Sequence, residues 1–189
     1  MPLRFLTPPQ ASFDRVASSV GRVAAGGAGI QIASASVPPA PQAFPHPVYA
    51  LGLTDIVSGA GIADAKQVSW RYLLDGSDGA LVAAEVSASR PDDPISLNRG
   101  RAVGGTRDQV TTSNVDARFA TDDYEVKLLR VPALSLVFLW LEAPSDEVFI
   151  AIEPTFPPFK VGETYSRADL EQALRAPAAE RLKHDDSPT

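Results

Sequence analysis

Three arginines stand among three glycines in "NRGRAVGGTR", Asn98 to Arg107. That mixture suits an anion-binding loop, with free backbone N–H groups and planar guanidinium forks gathered around an oxyanion. Arg99, Arg101 and Arg107 are then the candidate ligands. The stretch lacks the Gly-Lys-Ser/Thr ending of a phosphate loop, and no clear helix begins directly after it. A mobile loop between strands is the plainer reading, and a partner's acidic groove is as good a target as a phosphate.

Arg71 and Glu85 form a second pairing. They lie on neighbouring strand-like segments, "VSWRYLL" and "ALVAAEVSA", joined by the turn-rich "DGSDG". As cross-strand neighbours they can orient a ligand carboxylate, or Glu85 can serve as a base. An ordinary cross-strand ion pair is the competing and simpler interpretation. Asp92-Asp93 and Asp122-Asp123 fit no calcium-loop pattern and read as solvated turn residues. His46 stands among prolines and His184 in a polar tail, so neither promises a rigid catalytic base. Ser58 in "IVSGAG" is not a nucleophile elbow. No motif points to a metal or a cofactor, and the balance lies against catalysis.

Three zones position these residues. Residues 1–47 hold a helical pattern at Phe13–Ala24 with Ser12 as its expected N-cap, then the strand-like "IQIASASV", then "PPAPQAFPHP". Proline at that density imposes an extended path, so the zone reads as an arm. Residues 48–158 form the expected domain. "YALGLTDIVSGAGIADAKQ" carries Leu53, Ile56, Val57 and Ala60 at helical spacing, and five strand-like runs follow in a meander. Residues 159–189 hold a C-terminal helix capped at Ser166, which Pro177 should interrupt, and a polar tail. No internal repeat is visible. The fold class expected is α+β in two layers, with one helix on an antiparallel sheet of about five strands.

The run "LSLVFLWLE" is apolar on both faces. Leu134, Leu136, Phe138 and Trp140 point one way and Val137, Leu139 and Leu141 the other. Such a strand needs two covers, and a single helix provides one. Val137, Leu139, Leu141 and Phe44 are therefore the expected contacts to another chain.

Composition narrows the function classes. The chain has 189 residues and a net charge of −6, which argues against nucleic acid or an anionic membrane as partner. With no cysteine there is neither a disulfide nor a thiolate site. The apolar run is shorter than the roughly 20 residues of a membrane helix. "VAAGGAGIQIASAS" is a weak export signal, so a cytoplasmic place is expected. Arginine in excess of lysine and abundant alanine suggest a GC-rich bacterial genome or its phage. The function expected is a non-catalytic protein–protein interaction or structural subunit, self-associating or part of a larger assembly. The alternative is a small-ligand binder or enzyme with a helix–sheet cavity near Trp70, Arg71, Glu85 and Trp140.

Overall fold

The computed structural model describes residues 3–26, 43–75 and 81–184. They build one mixed sheet of eight strands. The strands are β1 (His46–Ala50), β2 (Lys66–Asp75), β3 (Leu81–Ser87), β4 (Ser96–Asn98), β5 (Glu125–Val131), β6 (Leu136–Glu142), β7 (Glu147–Ile152) and β8 (Thr164–Tyr165). In space they run β4-β3-β2-β1-β5-β6-β7-β8. Among the described residues there are four α-helices, α1 (Gln10–Gly26), α2 (Leu53–Ser58), α3 (Arg101–Val115) and α4 (Arg167–Lys183).

The protein is α+β, as the sequence indicates, but the sheet has eight strands where about five were expected, and it is mixed. β1 lies parallel to β5 at the centre, and every other pairing is antiparallel. The strands missed are β1, β4 and β8, with five, three and two residues. β4 and β8 are shorter than the four residues an alternating pattern needs, and β1 is obscured by Pro47 and the proline-rich stretch before it. The helix expected from Tyr49 onward is instead β1, a six-residue α2 and a single 3-10 turn at Ile62–Asp64. Gly59 and Gly61 end it there, at φ 83 and 73, angles that side-chain-bearing residues rarely adopt. A side chain on Gly61 would also collide with Glu171 of α4.

Alternation in the strands places the side chains as their spacing predicts. Tyr72 pairs with Ala84 and Leu74 with Val82, on the face that α1 covers through Val16. Leu129, Val131, Phe138, Trp140, Phe149 and Ala151 lie on that same face under α2 and α4. The opposite face carries Leu73 and Ala83 against Val103 of α3, then Leu128, Leu139, Leu141, Ile150 and Ile152 against Val110. The architecture therefore has three layers, not two.

Both covers of β6 come from its own chain. Leu139 and Leu141 are fully buried in the cluster that includes Val110 of α3. This corrects the expectation that a second chain covers them. The segment expected to be a mobile Arg/Gly loop is largely the start of α3 itself. Gly105 lets that helix approach, since a Cβ there would stand 2.8 Å from Ile152 Cγ2.

The N-terminal zone also contributes to the body of the protein. Leu3 and Phe5 pack beside β5, Arg4 bridges to Glu125, and α1 lies on the sheet. Ser12 is not the cap of α1, which begins at Gln10; its hydroxyl instead meets Tyr72 OH at 2.9 Å. The "IQIASASV" run and the first part of the proline stretch lie outside the described residues. α4 runs unbroken through Pro177, with Leu170, Leu174 and Ala178 buried beneath it. Its cap at Ser166 accepts from Asp169 N as the sequence indicates.

The chain also follows one plan twice. α1 precedes β1–β4, and α3 precedes β5–β8. The two first strands meet in parallel at the centre, and the remaining strands step outward on either side. α1 lies over β2 and β3 on one face, and α3 reaches β6 and β7 on the other. That swap of faces is what a two-fold axis lying along the strands produces.

Candidate functional site

The two halves differ in what covers them. α2 and α4 seal the second half on the face away from α3. Among the described residues no helix lies over the first half's α3-bearing face beyond Leu73 and Ala83. There the side chains turn polar: Ser69, Arg71, Glu85 and Ser87 follow one another across β2 and β3. An open groove of about 260 Å³ lies over them, lined among others by Ser69, Glu85, Ser87, Asp93, Ser96 and Arg130.

Glu85, which lines this groove, is directly opposed in register to Arg71. Arg71 Nε and Nη2 each lie 2.7 Å from Glu85 Oε1. Arg130 reaches across from β5, donating from Nη1 to Glu85 Oε2 at 3.0 Å and from Nη2 to Oε1. Ser69 Oγ donates to Oε2 at 3.3 Å. Arg71 and Glu85 are 3% and 8% exposed, whereas the Arg130 side chain is 26% exposed. Two guanidinium groups thus share one carboxylate, leaving one positive charge in excess. The inner nitrogen Nη1 of Arg71 is buried without a hydrogen-bond partner.

His46, expected in a flexible arm, is fully buried in β1 and faces Arg71 across the strand pair. Its Nδ1–H donates to Phe44 O at 2.7 Å. Burial, reinforced by the Arg71 charge and opposed by the Phe44 carbonyl, lowers its pKa to about 3. The ring is neutral near pH 7, and its Nε2 is buried and unpartnered.

The other candidate residues do not converge here. Arg101 pairs with Glu153 at 3.0 Å, and Arg107 stacks on the Phe44 ring at 4.9 Å and reaches Asp75 at 3.4 Å. Arg99 precedes α3 and is itself engaged in contacts. Phe44 is half-buried, with its ring edge-on to Phe5 at 5.3 Å, and Val137 is half-buried as well. Trp70 points to the α1 face, away from Arg71 and Glu85, so the three cannot line one cavity. Trp140 is packed against Tyr49 and Phe149 and donates to Glu147 at 2.8 Å. Among the described residues no group of three or more His, Asp or Glu is placed to hold a metal ion. None of their helices is long and apolar enough to cross a membrane.

Arg130 is the member sequence reading missed. It stands far from Arg71 and Glu85 in the chain, and only the parallel β1–β5 pairing brings its strand beside β1. Its one signal was an arginine near the end of the strand-like run "YEVKLLRV". Compared with family models, curated proteins and solved structures, the chain matches none.

Proposed function

We propose that this protein is a non-catalytic interaction subunit of a larger assembly, meeting its partner through the open groove over Ser69, Glu85, Ser87 and Arg130. The observation that carries this reading is the open groove at the polar end of the sheet, with a buried charge cluster at its base. Buried charges stabilise a fold poorly compared with apolar packing. The chemistry of the cluster disfavours catalysis. Both Glu85 oxygens are already engaged by guanidinium groups, and His46 has no exposed nitrogen.

Edge-to-edge sheet association is disfavoured as the mode of contact, since the edge strands β4 and β8 have only three and two residues. The test is the mass of the native particle isolated from its own source. A mass above the 20.0 kDa of one chain is expected. Ser96→Trp, which fills the groove from an exposed position, should return it to the single-chain mass with unchanged circular dichroism. A native particle of single-chain mass would overturn the reading.

A further inference from the structure

The geometry points to a carboxylate as the group this groove receives: an Asp or Glu side chain of a partner polypeptide, bound by Arg130 above the Glu85 cluster. This rests on the protein-partner reading above and gives it a chemistry.

Three observations carry it. Arg71, Arg130 and Glu85 leave a single positive charge unbalanced at a site where Arg71 and Glu85 are more than nine-tenths buried. An uncompensated charge in such surroundings is costly, and an incoming anion relieves it. Arg130 is the exposed member, so the excess charge is presented to the groove and not to the interior. The guanidinium N–H groups that Arg130 does not spend on Glu85 suit a carboxylate, and Ser87 and Ser96 line the groove as hydroxyl donors.

The charge count also selects against a phosphate. Glu85 and Asp93 both line the groove. Asp93 is balanced by Arg90, which lies 3.1 Å away, so the net excess remains one. A singly charged carboxylate matches it, whereas a phosphate dianion overshoots it. The groove is open and shallow, which favours one side chain of a polypeptide lying across it over an enclosed small molecule.

The test is a titration of the full chain with acetyl-Gly-Glu-Gly-Glu-Gly-amide and with its Gln twin, followed by amide NMR shifts. The Glu peptide should move the amides of Ser69, Glu85, Ser87 and Ser96, and the Gln peptide should leave them in place. Arg130→Gln should weaken the Glu peptide by about tenfold or more, and added salt should weaken it further. Ser87→Asp supplies a carboxylate from within the groove and should block the peptide, a check that stands even if Arg130→Gln folds poorly. Equal binding of the Gln peptide, undiminished binding to Ser87→Asp, or inorganic phosphate binding as tightly as the Glu peptide would overturn the assignment. None of these results alters the native mass, so the interaction-subunit reading succeeds or fails separately.

Discussion

Glu85 shows how far one side chain's role depends on its surroundings. On an exposed hairpin the Arg71–Glu85 pair would contribute at most about 1 kcal/mol. Among the described residues Glu85 is the shared counter-charge of two guanidinium groups, one of them buried. Glu85→Gln is expected to destabilise the fold by about 3–5 kcal/mol, the range for stripping one partner from a buried ion pair. Urea unfolding checks this, and a loss below 1 kcal/mol would mean that the site relaxes or admits water. His46 gives a second prediction at this scale. The unfolded chain takes up a proton near pH 6.5, whereas the folded ring resists it down to about 3. The folded state binds fewer protons in that window, so stability rises with pH across it. As pH falls from 6.5 towards 3 the contribution is lost, at about 1.4 kcal/mol per pH unit. His46→Asn should flatten that slope in a pH series of denaturant melts.

At the scale of elements, α3 and α4 make opposite points. α3 is placed by close approach, with Gly105 against Ile152 and Val110 over the β6 side chains. Gly105→Val should overpack that contact and destabilise by about 1–3 kcal/mol. Leu139→Asp should unfold the chain as a monomer, because the carboxylate would be buried beneath its own helix. Light scattering with circular dichroism separates that outcome from dissociation of a folded chain. In α4, Pro177 removes a backbone donor from the helix interior, yet the helix persists because Leu170, Leu174 and Ala178 anchor it to the sheet. Arg167 adds a fork onto Glu147, with two contacts of 2.7 Å. Pro177→Ala should therefore raise stability by about 1–3 kcal/mol, the gain from restoring a helix former at an internal position. A higher midpoint in thermal melts checks it.

At the scale of the whole molecule, local pattern and long-range placement divide cleanly. By itself the sequence determined the α+β class, the five longer strands, the N-cap of the C-terminal helix at Ser166 and the pairing of Arg71 with Glu85. Each follows from periodicity or chemistry within a few residues, or across a short turn. The sequence also determined that β6 needs two covers, because apolar side chains alternate without a polar face. Only the tertiary structure decided what those covers are. α3 forms from a segment whose glycines disfavour a helix locally, and it is held by the sheet beneath it. The same applies to His46, a proline-flanked residue that the β1–β2 and β1–β5 pairings draw into the centre of the sheet. Arg130 joins Glu85 for the same reason. A contact between residues so far apart in the chain is set by strand order, and strand order follows from burying every apolar face at once, which no local stretch of sequence can express.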